Sequence, residues 1–386
     1  KTSCPDPGVS VDGARKGSCC LVGDVVTYSC KKGFELVGTD TLACLTTGNW
    51  SSPRPLCRHY SRCGLRPNHG RRTDGENTIT GGDAAEAWPW MAAVYFTPRT
   101  GFPVMHCSGS IIHDLYILTN ADCVDYIFKE RKKDTPITVH LGLTDIESRL
   151  YEEVIDVKKL YIHEKHRNDG NYDYDIALLK LGRSIVYNDF VRPICLPPTN
   201  LSPETTLYKP NETAIVTGWG TDVREDEGIY VALGMRRYVK EVNLNLQSKE
   251  NCVDFLKKKI RNMKFTERML CTRGDGEDAC VGHSGTPLVQ PRFDSDGDIY
   301  WTQVGIASWS FWPCGREDGE DICVRDRGSP LMQPQLDSDG NIYWTQVGIT
   351  AEAFKPCGGE VSYTFYTYVQ AVVQWITERI EETINE

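Results

Sequence analysis

Long apolar runs are missing from this chain, and none approaches the ~20 residues that a membrane-spanning helix requires, so no membrane insertion is expected. Basic residues are the minority charge, 43 Lys and Arg against 53 Asp and Glu. The resulting net charge of -10 argues against nucleic acid or anionic lipid as a partner, because both reward clustered cations. An initiating methionine and an apolar leader are also missing. The sequence starts at Lys1, which we read as a processed or truncated chain with any signal peptide upstream. Helical patterning is scarce too: only the stretch near Val369 to Ile380, with Glu and Arg on its polar side, reads as a packed C-terminal helix. No cofactor or metal is indicated. Asp294-Ser-Asp-Gly297 looks superficially like a calcium loop, but it lacks the later Glu and sits between strand-like runs, so a hairpin turn is expected there.

What is abundant is cysteine. Sixteen in 386 residues place the chain in an oxidising, extracellular compartment, since the cytosol would keep them reduced. Three sequons, at Asn49, Asn200 and Asn211, fit a secreted glycoprotein, although Pro203 directly after the second weakens that one. The cysteines are densest at the start, where residues 1–58 combine six of them with many Gly and Pro. That composition describes a small module stapled by disulfides because its core is too small to hold it. Residues 59–78 are polar, basic and turn-rich, and read as a linker. From Ile79 the chain becomes a succession of short β-like runs punctuated by Gly and Pro, among them Trp90 to Tyr95, Ser110 to Leu118, Ile137 to Leu141, Ala214 to Gly218 and Tyr300 to Ser308. Residues 276–315 recur, offset by about 43 positions, as residues 319–358, and near-identity over such a length signals a tandem duplication.

Cys4, Cys30, Cys44 and Cys57, with Val26-Thr-Tyr-Ser-Cys30, Gly33-Phe34 and Gly48-Asn-Trp50, resemble the sushi (complement control) family. The resemblance implies pairing of Cys4 with Cys44 and of Cys30 with Cys57 around a small all-β core containing a buried Trp50. Cys19 and Cys20 depart from the pattern. They can close on each other or reach outward to separate thiols, and the strict geometry of a disulfide keeps a disulfide-linked oligomer open as an alternative.

Downstream, Ile79-Thr-Gly-Gly82, Trp88-Pro-Trp90, Cys107-Ser-Gly-Ser110, Leu118-Thr-Asn-Ala-Asp-Cys123, Asp175-Ile-Ala-Leu-Leu179, Pro193-Ile-Cys-Leu-Pro197, Thr217-Gly-Trp-Gly220 and Gly282-His-Ser-Gly-Thr-Pro287 occur in the order of chymotrypsin-like serine proteases. The resemblance, which runs from Ile79 to the end, implies an all-β architecture: a sushi module followed by a two-barrel trypsin-like domain, residues 79–386, with a C-terminal helix. It also implies the disulfides Cys63 to Cys195, Cys107 to Cys123, Cys252 to Cys271 and Cys280 to Cys314. Sushi followed by protease is similar to modular arthropod haemolymph and clotting-factor proteases, to complement-type proteases and to haptoglobin.

Acyl transfer on such a scaffold needs a nucleophilic serine, an imidazole that takes its proton and a carboxylate that orients the imidazole. Ser284 and Asp175 stand at two of these positions, but Asp122 occupies the third, immediately before Cys123. Aspartate, with an ordinary pKa near 3.9, is a poor base at neutral pH, and a second carboxylate beside Asp175 adds repulsion. Losing the imidazole of a comparable triad costs on the order of a millionfold in turnover. His283 neighbours Ser284 but points elsewhere on a tight turn, and His106 reads as a packing residue.

His283 marks a second defect, because the resemblance implies an acid there to pair with the N-terminal ammonium released by cleavage. An unpaired buried charge of that kind costs ~3–5 kcal/mol. Thr78 precedes Ile79 where an activating protease of trypsin type needs Arg or Lys. In the duplicate, Asp326 restores the acid, yet Arg327 takes the nucleophile position. Copy one retains Ser308-Trp309-Ser310, resembling the substrate-binding strand, and we favour it in the usual loop, with copy two as an added hairpin closed by Cys323 to Cys357. Cross-pairing of Cys280 with Cys357 and of Cys314 with Cys323 is the alternative. Asp278 either holds a basic side chain in a non-cleaving pocket or is a solvated loop acid.

The expected function is an inactive protease homologue that binds or regulates in an extracellular proteolytic or innate-immune pathway. Its partner would be an extracellular protein, a protease or a carried protein. Two rivals stand beside it: a haptoglobin-like carrier or scavenger, and a residual hydrolase using Ser284.

Overall fold

The computed structural model describes residues 3–9, 11–65, 88–99, 103–143, 152–167, 172–199, 209–219, 221–226, 229–235, 239–259, 264–275, 287–293, 299–307, 329–336, 342–354 and 361–385. The chain divides into two compact units, Lys1–Arg62 with Tyr187–Asp189, and Cys63–Val186 with Phe190–Glu386. The first unit thus runs on past residue 58.

Within the first unit, β1 (Gly13–Gly17), β2 (Val25–Cys30) and β4 (Thr41–Ala43) form one antiparallel sheet, and β3 (Phe34–Val37) pairs with β5 (Leu56–His59). Strand β2 alternates exposed and buried residues, the period of two expected of a sheet with one wet face. Its inward Val26 and Tyr28 meet Leu42, with Leu36 and Trp50 packed alongside. So few apolar residues make a small core, and two disulfides supplement it, Cys4–Cys44 and Cys30–Cys57. Trp50 is half-buried, because its indole N–H reaches outward to donate to Pro5 O at 2.7 Å. Cys19 and Cys20 are bonded to each other, the local alternative.

The second unit opens with a closed six-stranded antiparallel barrel. Its strands are β6 (Met91–Phe96), β7 (Val104–His113), β8 (Tyr116–Thr119), β9 (Thr138–Leu141), β10 (Glu153–Ile162) and β11 (Ala177–Leu181), in the order β10-β11-β8-β7-β6-β9. Strands β6, β8 and β11 are buried along their whole length, since other elements cover their outer side. The run Ser110 to Leu118, expected as one strand, is in fact parts of two. Asp114 and Leu115 make a turn, in which the Leu115 N–H donates to His113 Nδ1 at 3.2 Å. The two arms of this hairpin lie very close at Gly109, where an added Cβ would stand 2.6 Å from Ile117 Cγ2 and 2.7 Å from Leu118 O.

The second sheet comprises β12 (Thr213–Gly218), β15 (Lys240–Leu246), β16 (Met269–Asp275), β17 (Pro287–Phe293), β18 (Ile299–Ala307), β19 (Ser329–Leu336), β20 (Ile342–Phe354) and β21 (Val361–Tyr368), while β13 (Thr221–Asp226) and β14 (Ile229–Met235) form a separate hairpin. Pairing of β12 with β17 returns the circuit β12-β15-β16-β21-β18-β17 to its first strand. Copy one of the duplication supplies β17 and β18 of this circuit; copy two supplies β19 and β20 outside it. The two hairpins share one register: Pro287 faces Ile306 and Leu288 faces Gly305 in the first, as Pro330 faces Ile349 and Leu331 faces Gly348 in the second. Both second strands lie against β21, β18 at Tyr366 to Tyr368 and β20 at Tyr363 to Tyr366.

Three helices complete the described unit, two more than the sequence pattern reveals: α1 (Ala121–Glu130), α2 (Lys249–Lys259) and α3 (Val369–Thr383). Disulfides Cys63–Cys195, Cys107–Cys123 and Cys252–Cys271 lie in this unit, the last two tying α1 to β7 and α2 to β16. Helix α3 buries Val369, Val372, Val373 and Ile376, the stripe expected at a 3.6-residue period. The stripe packs on Tyr116, Leu118, Ile176 and Leu178 of the barrel and on Ile306 of β18. No described helix is long and apolar enough to cross a membrane. Gly109→Ala should destabilise the protein by about 1–3 kcal/mol through overpacking of the hairpin, read from denaturant midpoints.

Candidate functional site

Strand β8 ends at Thr119, whose hydroxyl donates to Ser108 O at 2.9 Å and fixes the turn into α1. The next residues form a buried polar corner. Asn120 is fully buried and its amide donates to Asp175 Oδ2 at 3.3 Å; the Asp122 backbone N–H donates to Asp175 Oδ1 at 2.9 Å. Asp175 is itself 0 % exposed, and its backbone oxygen accepts from Thr367 Oγ1 of β21 at 2.9 Å. Asp122 lies in the first turn of α1, where the positive end of the helix dipole favours an anion.

Asp175 is delivered to this corner by an unusual stretch of backbone. Tyr172 and Tyr174 have φ of 48° and 54°, the left-handed region that bulky residues avoid at a cost of ~1–3 kcal/mol each. Packing of Tyr172 against Cys252, Leu256, Met269, Cys271 and Phe365 holds one of them. Between them Asp173 accepts two parallel bonds from Arg268, 2.8 Å from Nε and 2.7 Å from Nη2, and one from Thr266 Oγ1 at 2.9 Å. The hydrogen bond to Asp173 raises the Arg268 pKa, and the same guanidinium lies 4.4 Å over the Tyr174 ring.

A neighbouring turn runs from His163 to His166, closed by the His166 N–H on His163 O at 2.9 Å. His163 is buried between the rings of Tyr174 and Trp375, at 4.4 and 4.9 Å, and its Nδ1 accepts the Lys165 N–H at 3.1 Å. Burial lowers its pKa to about 4, with Lys165 and His166 acting in the same direction against Glu164 and Asp173. Helix α3 grips the turn from outside, Trp375 Nε1 donating to Glu164 Oε2 at 2.9 Å and Arg379 pairing with Glu164 Oε1. Desolvation works against the Glu164 charge, but a hydrogen bond from its own backbone N–H, the Trp375 bond, Arg379 and His163 leave its pKa lowered. The imidazole of His166 then projects towards α1: Nε2 is 3.8 Å from Asp125 Oδ2, and one ligand atom each from Asp122, Asp125 and His166 lie within 4.8 Å of one another.

The structure therefore brings Asp122 and Asp175 together, and adds Asp125 and His166, which the sequence reading missed. The signal for His166 was faint: a His163-Glu-Lys-His166 pair just upstream of Asp175-Ile-Ala-Leu-Leu179, with no spacing of its own to point at residue 122. His106 stacks on Tyr126 at 4.0 Å and meets Phe96 edge-on, a packing role. Asn49 and Asn211 are exposed. Thr78, Ile79, Asn200, Asp278, Cys280, His283, Ser284, Ser308, Trp309, Ser310, Cys314, Cys323, Arg327 and Cys357 lie outside the described residues.

A barrel closed beside a second sheet, with a polar corner at the start of α1, defines the trypsin class of fold. The trypsin family model matches residues 79–318, more than half of the chain, and the chain belongs to that family. A sushi repeat (SCR repeat) matches residues 4–57. The trypsin match stops before copy two, although β21 and α3 beyond it belong to the same unit. Among known proteins, clotting factor C of Tachypleus tridentatus and Limulus clotting factor C of Carcinoscorpius rotundicauda are each 29% identical over 75% of this chain and 27% of their own length. The chain thus spans about a quarter of those relatives. The clotting factor G beta subunit of Tachypleus tridentatus is 31% identical over 59% of this chain and 68% of its own length.

Because folded His163 binds a proton only near pH 4 while an ordinary imidazole does so near 6.5, the stability linked to this residue is fully present above about pH 6.5 and is lost as pH drops towards about 4. His163→Leu should flatten that fall, seen as a smaller difference between the thermal midpoints at about pH 7.5 and about pH 5.

Proposed function

We propose that this chain is a non-cleaving protease homologue, secreted and glycosylated, that acts as a binding or regulatory component of an extracellular proteolytic or innate-immune pathway. The observation that carries the reading is Asp122. It stands immediately before Cys123, where the family resemblance calls for an imidazole, and it is 6 % exposed beside the fully buried Asp175. A carboxylate there is a poor proton acceptor for Ser284 at neutral pH. Kinship to clotting factors supports the pathway class, and the exposed sequons at Asn49 and Asn211 support secretion. The partner is an extracellular protein, a protease or a carried protein, held by the sushi module or the duplicated hairpin.

A second reading has His166 behind it, since a buried imidazole within 4.8 Å of Asp122 is the sort of group a residual hydrolase would need. Stoichiometric labelling of Ser284 by a fluorophosphonate, lost in His166→Gln, would establish that reading and overturn ours.

The expected result is no labelling and no turnover of Arg, Lys, Phe or Leu peptide substrates above buffer. With a cleavable Thr78→Arg site, Asp122→His should stay about a hundredfold or more below Asp122→His/His283→Asp, because the second substitution restores the partner of the new N-terminus. Full activity from Asp122→His alone would contradict the activation defect.

A further inference from the structure

We propose that Asp122, Asp125 and His166 form a binding site for a divalent transition-metal ion of the zinc class. The starting point is an imidazole in the wrong surroundings. The His166 side chain is 3% exposed, and neither ring nitrogen makes a hydrogen bond. A buried polar ring in that state carries a desolvation cost that hydrogen bonding does not offset. What faces it is acid from α1, where Asp122 and Asp125 stand three residues apart on one side of the helix.

His166 Nε2 stands too far from the facing acid for a direct hydrogen bond. A charge-assisted N–H···O bond closes to ~2.7–2.9 Å, whereas His166 Nε2 and Asp125 Oδ2 stand 3.8 Å apart. The spacing leaves room for an ion between them. Ligand atoms held ~2.0–2.2 Å from a tetrahedral zinc lie roughly 3.3–3.5 Å from one another. The observed separations, 3.8 Å for one pair and none above 4.8 Å, reach that spacing through small side-chain rotations.

The donor set narrows the ion. One imidazole nitrogen with two carboxylates suits zinc and its first-row neighbours, while calcium and magnesium take oxygen ligands. Three protein ligands leave a fourth position open to water or to a side chain of a bound protein. An ion here joins the first turn of α1 to the His163–His166 turn and offsets the buried negative charge around Asp122 and Asp175. The inference does not rest on the loss of catalysis, and its test reads metal rather than hydrolysis.

The full chain, stripped with a chelator and dialysed, would be titrated with zinc chloride by calorimetry and with cobalt chloride by visible absorption, with calcium and magnesium chloride as controls. The expected result is about one zinc per chain and a tetrahedral cobalt band. His166→Gln and Asp125→Asn should each weaken zinc binding by more than about tenfold and abolish the band, while His106→Gln leaves both intact. Circular dichroism would verify that each variant is folded; if His166→Gln fails that check, Asp125→Asn, whose side chain is 26% exposed, decides the matter. Absence of saturable zinc uptake, uptake undiminished in the folded variants, or an octahedral cobalt spectrum would overturn the proposal.

Discussion

The buried carboxylate of Asp175 is the constraint around which the second unit is arranged. A carboxylate out of water must be surrounded by donors, and removing one leaves a charge that costs several kcal/mol. Here the donors are the Asn120 amide and the Asp122 backbone N–H, both at the start of α1, while Thr367 reaches the Asp175 backbone from the second sheet. One residue therefore fastens the barrel, its first helix and strand β21. The donor at residue 122 belongs to the main chain, so it survives whatever side chain stands there. A scaffold built on it keeps its corner with a carboxylate side chain at residue 122.

The supports of that corner are costly locally and secured from a distance. Left-handed backbone at Tyr172 and Tyr174 persists because the Arg268 fork, the Thr266 hydroxyl and the core around Phe365 determine the segment from three directions. Opposite, α3 holds the His163–His166 turn through Trp375 and Arg379. The duplicated hairpin is accommodated differently. Its strands repeat the register of copy one and use a neighbouring length of β21, so the sheet widens while its circuit is kept.

Much of the fold was legible because the family's motifs are short, ordered and tied to cysteines. Trp88-Pro-Trp90 opens β6, Asp175-Ile-Ala-Leu-Leu179 enters β11, and the apolar stripe of Val369 to Ile376 predicted α3. Helices α1 and α2 were hidden. The first has an apolar face, Ala121, Cys123, Val124 and Ile127, but is only ten residues long and carries a buried acid on it, and the second is mostly charged with a weak apolar period. The turn at Asp114 and Leu115 was hidden as well: Asp114 is a turn residue, but a single one inside an apolar run is a weak signal, and the His113 side chain completes the turn. At the site, Asp122 and Asp175 were visible by position. His166 was not, since its approach to α1 depends on a turn held by a helix some two hundred residues later. Left-handed tyrosines escape any sequence rule, as that conformation is ordinarily signalled by glycine or asparagine.

Helix α3 also governs the order of assembly. The Tyr116 hydroxyl and Thr383 Oγ1 lie 2.8 Å apart across 267 residues of sequence, and the buried Lys180 ammonium donates to the Thr383 carbonyl oxygen. Until that helix emerges from the ribosome, Tyr116, Leu118, Ile176 and Leu178 have no lid and Lys180 has no acceptor at the helix terminus. The barrel made first therefore completes its core only with the last residues of the unit, so its closure rests on contacts of very long sequence separation, the kind whose loop entropy must be met before they stabilise.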